Sequence, residues 1–150
     1  MTPKTTPSSE PRAPRLGVGA VVFKDNAVLL VKRSRPPAQG EWAIPGGKVR
    51  WGETLQQAAE RELLEETNVR ARANEVVFSF ELLEQDSTGE CQTHYVIIDL
   101  AAHYLGGEPR AGDDAAAARW VREQELATLP VNATTRQLLR EVYGFGKKLD

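Results

Sequence analysis

One run of this chain, Thr54 to Thr67, is free of glycine and proline, while the segment before it, Trp42 to Gly52, holds Pro45, Gly46, Gly47 and Gly52. That contrast predicts a single early helix entered through a turn-rich approach. Thr54 can cap its N-terminus and Gln57 can return the capping-box bond, so the helix is expected over 54–67. At roughly 100° per residue, Leu55, Ala59, Glu62 and Glu66 project into one arc, with Glu65 beside it and Leu64 far round. Glu62 and Glu66 then face each other one turn apart as like charges, an arrangement that calls for compensation. Carboxylate oxygens are the preferred ligands of Mg²⁺ and Mn²⁺, and Mg²⁺ commonly bridges one or two carboxylates to substrate phosphates. A solvated acidic helix also accounts for the glutamates taken alone. The glycines in front weigh against it, because they let backbone approach a ligand closely.

Around this helix the chain reads as mixed α/β. Leu16 to Phe23 and Ala27 to Val31 are two β-rich runs separated by Lys24-Asp25-Asn26, a hairpin signal. Val76 to Leu83 and Tyr95 to Ala101 follow, joined through Asp86-Ser87-Thr88-Gly89-Glu90, and Arg119 to Val121 supplies a short late strand. Asn132 caps a second helix expected to reach about Tyr143, with Leu138, Leu139 and Val142 facing inward. Residues 1–14, rich in Thr, Pro and Ser, read as a flexible leader, and 15–150 as one domain.

Composition narrows the function classes. The 150 residues suit one compact domain, 41% hydrophobic with 27% charged. A net charge of −2 lacks the basic balance of a nucleic-acid polymer binder, so nucleotides are the expected partners. The single Cys91 permits no internal disulfide, which suits a reducing cytoplasm, and its place beside an apolar strand makes it a buried or semi-buried structural thiol. No apolar run approaches the ~20 residues of a membrane span. A homodimer is the commonest assembly open to such a chain.

Gly47, Glu53, Arg61, Glu62, Leu63, Glu65, Glu66 and Val69 stand at the spacing of the signature box of the Nudix hydrolases, and the chain resembles that family from residue 15 to 143. Asn68 departs from the pattern, standing where the family has Gly. Asn is the next most tolerant residue in the left-handed conformation that closes a helix, so the loop–helix–loop is expected to survive. The resemblance implies an α/β/α sandwich around a mixed β-sheet. It also implies a Mg²⁺-dependent (or Mn²⁺-dependent) hydrolysis of a nucleoside diphosphate linked to another group. By the same resemblance Glu62, Glu65 and Glu66 are metal ligands, joined by the carbonyl of Gly46, and Glu53 pairs with Arg61 to brace the loop. An Arg fork can take both oxygens of a carboxylate, which agrees with that pairing.

The general base stays open among several carboxylates. Glu65 and Glu66 are candidates inside the box, and Asp113 and Asp114 are candidates in the loop 106–118, which also holds Glu108. Arg119 directly precedes Trp120, where family members often place a late carboxylate. A polar turn, the favoured reading, also accounts for Gly112-Asp113-Asp114. For substrate, Lys32, Arg33 and Arg35 at the end of the second strand can meet phosphates, and Gly47 can admit the ligand closely. Trp42 and Trp51 can each stack on a base or cap a core edge, with the core favoured for Trp42. His94 is expected to be a strand residue with a satisfied ring and His103 a surface one. The proline of one ADP-ribose-cleaving subgroup is missing between Val69 and Glu108. The layout still looks most like small ADP-ribose pyrophosphatases, with nucleoside triphosphates, including oxidised dNTPs, as the alternative substrates. A non-catalytic nucleotide sensor is the alternative from another class.

Overall fold

The computed structural model describes residues 12–36, 38–112 and 114–147. The hairpin read from Lys24-Asp25-Asn26 is present. β1 (Arg15–Lys24) and β2 (Ala27–Arg33) pair antiparallel across Asp25 and Asn26, whose φ angles are +52° and +64°. Two successive left-handed residues give the tight turn whose twist matches its flanking strands, and Asp and Asn tolerate that conformation best after Gly.

The elements that follow are β3 (Trp42–Ala43), β4 (Gly46–Lys48), α1 (Leu55–Thr67), β5 (Arg70–Gln85), β6 (Cys91–Gly106) and β7 (Ala115–Arg122), then a short 3₁₀ helix (Glu123–Ala127) and α2 (Ala133–Tyr143). The seven strands form one mixed sheet in the order β3-β2-β1-β6-β5, with β4 on β1 and β7 on β2. β1 and β6 run parallel, from Arg15↔Tyr95 to Val22↔Ala102. The other pairings are antiparallel.

β1 is buried on both faces, and its alternation divides the core. Val18, Ala20 and Val22 meet Ala58, Ala59 and Leu63 of α1 together with Leu100. Val21, with Val28, Leu30, Trp42 and Val121, meets Leu138 and Leu139 of α2. One helix on each face is the sandwich expected from the sequence. Fully burying a side chain such as Leu63 stabilises this layer by about 1.5–3 kcal/mol.

The structure corrects several boundaries. β5 begins at Arg70 instead of Val76, and β6 runs from Cys91 to Gly106 instead of Tyr95 to Ala101. In the early part of β5, Ala71 and Ala73 are buried between exposed Arg70, Arg72 and Asn74, so small residues carry the period of two there. Glu60 of α1 fixes this stretch by accepting a 2.8 Å bond from the Ala73 amide. Val142 is 40% exposed, not inward, because Leu138 and Leu139 already occupy the buried stripe of α2. β3 and β4 were not expected in the glycine approach. His94 lies 3.2 Å from Glu81, His103 is exposed, and Cys91 is half-buried. Of the leader expected over 1–14, residues 1–11 lie outside the described residues. No described helix is long and apolar enough to cross a membrane.

Candidate active site

The site is built where β4 leads into α1. Thr54 caps the helix, its Oγ1 accepting from Gln57 N at 3.0 Å while Gln57 Oε1 accepts from Thr54 N at 2.9 Å. Both halves of the expected capping box are therefore made. At the other end Asn68 adopts φ +67° and its amide donates to the Leu64 carbonyl. The residue that departs from the family pattern thus holds the left-handed closure expected of it.

Arg61 is the centre of the polar network. Its Nε and Nη2 donate to the two oxygens of Glu53 at 2.6 and 2.9 Å, a bidentate fork. Nη1 donates to Glu62 at 2.9 Å and to Glu65 at 3.3 Å, and Nη2 also reaches the Lys48 carbonyl at 2.9 Å. The Arg61 bond, seconded by the Arg50 amide, holds the Glu53 carboxyl at about 2, far below its usual 4.5. The bond to Glu53 in turn raises the Arg61 guanidinium above its ordinary value. The brace ties the loop to the helix and leaves Glu62 beside Gly47. A Cβ on Gly47 would overlap the Glu62 carboxylate, so at this position only hydrogen leaves the acid its place.

Glu66, one turn further along α1, meets the neighbouring glycine. Its Oε1 accepts from the Gly46 amide at 3.0 Å. Burial pushes its carboxyl up to about 7; the Gly46 bond and Arg33 oppose the shift, while the charges of Glu62 and Asp114 reinforce it. Gly46 itself is packed against β1, where a Cβ would overlap the Val18 carbonyl. The glycine pair read from the sequence therefore serves two carboxylates: Gly46 through its N–H and Gly47 through its missing side chain.

A segment that sequence reasoning did not assign to this role closes the C-terminal end of α1. Arg110 N donates to the Thr67 carbonyl at 3.0 Å and Gly112 N to the Glu66 carbonyl at 2.8 Å. Asn68 Nδ2 donates to the Glu108 carbonyl at 3.1 Å. A Cβ on Gly112 would overlap the Glu65 carbonyl, so the glycine was the available signal. The same loop brings Asp114, at φ +61°, towards the site. Its carboxylate pairs with Arg35 at 2.8 Å and its carbonyl accepts from Ser34 Oγ at 2.6 Å. Asp113 lies outside the described residues.

The other candidates separate clearly. The charge of Arg33 reaches Glu66, whereas Arg35 is spent on Asp114. Lys32 is half-buried on β2, opposite Trp42. Trp42 is 7% exposed within the α2-side core, the favoured of its two readings. Trp51 is fully exposed and caps no core edge.

Among the described residues no three His, Cys, Asp or Glu side chains gather into a metal cage. The donor set nevertheless fits a hard divalent cation. It is all oxygen, and Mg²⁺ needs only one or two carboxylates when waters and phosphates complete its shell. Glu66, half-buried beside the like charge of Glu62, is a group whose ionised form a cation would stabilise.

A domain family described as NUDIX domain matches residues 13–142. The chain is 36% identical over 117 residues to an ADP-ribose pyrophosphatase of Methanocaldococcus jannaschii, spanning 78% of this chain and 65% of that one. It is 37% identical over 113 residues to a Mycobacterium tuberculosis protein provisionally named 8-oxo-dGTP diphosphatase 2, with 73% and 74% covered. A crystal structure of a MutT NUDIX hydrolase from Burkholderia pseudomallei superposes with a TM-score of 0.73 at 35% identity, covering 87% of this chain and 99% of that one. Fold, glycine approach, Glu53–Arg61 brace and these matches agree, and the chain belongs to the Nudix hydrolase family.

Proposed function

We propose that this protein is a Mg²⁺-dependent pyrophosphohydrolase that cleaves a nucleoside diphosphate linked to another group, with ADP-ribose as the first substrate. The observation that carries the reading is the paired placement of Glu62 and Glu66, one beside Gly47 and the other under the Gly46 amide. Both acids stand on a helix face fixed by the Arg61 fork. Glu62, Glu65, Glu66 and the Gly46 carbonyl hold the metal in this reading. When bound, Mg²⁺ supplies positive charge to the diphosphate oxygens and makes water a better nucleophile.

The chain's own groups do the rest. Arg61 keeps Glu62 and Glu65 oriented, and Glu53 keeps Arg61 from swinging away. Glu65, whose side chain is 39% exposed, can meet the attacking water. Arg33 lies close enough to influence Glu66 and can meet a phosphate oxygen. No covalent intermediate is required.

The name of the archaeal relative supports ADP-ribose. The mycobacterial relative, of which a larger share is covered, supports a second reading in which a nucleoside triphosphate, including oxidised dNTPs, is cut. A nucleotide panel with Mg²⁺ separates them. ADP-ribose hydrolysis yields AMP and ribose 5-phosphate, whereas a triphosphate yields a monophosphate and pyrophosphate. Turnover of no panel member would refute both.

A further inference from the structure

The run Tyr95 to Ala102 of β6 contains one charged residue, Asp99, and it is 2% exposed. No hydrogen bond or ion pair holds its carboxylate among the described residues. A buried carboxylate without a partner costs several kcal/mol, so a chain seldom keeps one for stability. Burial pushes its carboxyl from 3.8 up to about 7.

Its surroundings resemble a ligand seat more than a core. In register, Asp99 lies between Gly19 of β1 and Phe78 of β5. A Cβ on Gly19 would overlap Asp99 Oδ1 and stand 2.8 Å from Ile44 Cδ1, so the carboxylate lies over the bare backbone of Gly19 with Ile44 beside it. Further along β1, towards Val21 and Phe23, this face is filled by the α2-side core. In the other direction it carries Gly17, Ile97 and Phe80, and the two apolar side chains are half-buried and belong to neither core cluster. Phe78 and Phe80 place their rings 6.2 Å apart beside this strip. The hydroxyl of Tyr143 on α2, near enough to feel the charge of Asp99, is buried and has no hydrogen-bond partner. Gly19 also pairs with Gly46, whose amide holds Glu66. Asp99 and Gly46 are therefore two strand spacings apart, on the order of 10 Å, a span that a nucleoside and its phosphates can bridge.

We propose that Asp99 is a specificity-determining residue, accepting a hydrogen bond from the exocyclic amino group of a purine seated on this glycine-floored, phenylalanine-edged strip. The inference rests on the pyrophosphohydrolase reading above and adds which part of the nucleotide is recognised. A site built to pair an N–H group rejects an analogue lacking it, because its own buried acceptor is then left unpaired.

The test compares an amino-purine substrate with its hypoxanthine counterpart: ADP-ribose with inosine diphosphate ribose, or dGTP with dITP, whichever pair is turned over. Wild-type protein should favour the amino form at least tenfold in kcat/KM. Asp99→Leu should bring the two within threefold, through a raised KM with kcat changed less than threefold, and should melt no lower than wild type. Asp99→Asn, which keeps an acceptor, should retain part of the preference. Turnover without an amino preference, or a preference that survives Asp99→Leu, would overturn the assignment. A leucine variant that melts several degrees lower, or that fails to fold, would show Asp99 to be structural. Absence of any turnover by wild type would instead overturn the pyrophosphohydrolase reading on which the inference stands.

Discussion

Replacing Glu66 by Gln should make the metal-free protein more stable at alkaline pH while nearly abolishing turnover. In the folded chain burial lifts the Glu66 carboxyl from 4.5 to about 7. The unfolded chain releases that proton near 4.5, so between the two values the folded state binds more protons and stability falls as pH rises. The contribution is intact below the unfolded value and lost once pH has passed the folded one. At about 1.4 kcal/mol per pKa unit, the loss above pH 7 is on the order of 3 kcal/mol. Glutamine is neutral throughout and can still accept from the Gly46 amide, so the variant avoids the loss. Urea unfolding in EDTA at about pH 4.5, 6 and 8 should show a stability gain that is absent at the lowest pH and grows to that size at the highest. Added Mg²⁺ should narrow the gap by stabilising the wild type through binding. A variant no more stable than wild type at pH 8, or one that keeps most of its activity, would show that Glu66 is neither the buried acid nor the metal ligand described.

Arg61→Lys keeps the charge but loses the fork to Glu53; the expected result is a loss of about 1.5–3 kcal/mol in unfolding free energy, with at least a tenfold fall in kcat, both absent if the pair is merely a surface contact. Gly47→Ala places a Cβ on the Glu62 carboxylate and should weaken Mn²⁺ binding, followed by electron paramagnetic resonance, with little change in melting temperature; unchanged affinity would remove Glu62 from the ligand set. At the helix end, Asn68→Gly should stay within about 1 kcal/mol of wild type, trading its bond to the Glu108 carbonyl for a relaxed backbone, whereas Asn68→Ala should cost about 1–2 kcal/mol because alanine gains neither.

The parts of this molecule that announce themselves in the sequence are governed by local rules. Thr54 and Gln57 define a helix start by their spacing, Asn68 its end, and Asp25-Asn26 a two-residue turn, and each behaves accordingly. The Glu53–Arg61 fork followed from the family resemblance and the shape of the guanidinium. What escaped depends on partners distant in the chain. β5 extends back to Arg70 because β6 pairs with it, although Arg, Ala and Asn argue against a strand by propensity. The loop 106–112 contributes to the site through carbonyls of α1 that lie more than forty residues earlier, and only its glycines hinted at the close approach. Asp99 stands in an otherwise apolar run, and nothing local shows that its partners on the sheet are Gly19 and Phe78. The choice between stacking and core for Trp42 was settled by its neighbours on β2 and α2, which sequence spacing does not specify.

In the proposed reaction the Glu62–Glu66 face, loaded with Mg²⁺, cuts a diphosphate bond. The decisive measurement follows ADP-ribose and nucleoside triphosphates by phosphorus NMR in Mg²⁺ and in EDTA, for wild type and Glu66→Gln. Hydrolysis by wild type in Mg²⁺, with none in EDTA and at least a thousandfold less in the variant, is the predicted result. Hydrolysis that persists in EDTA, or equal rates for the two proteins, would contradict it.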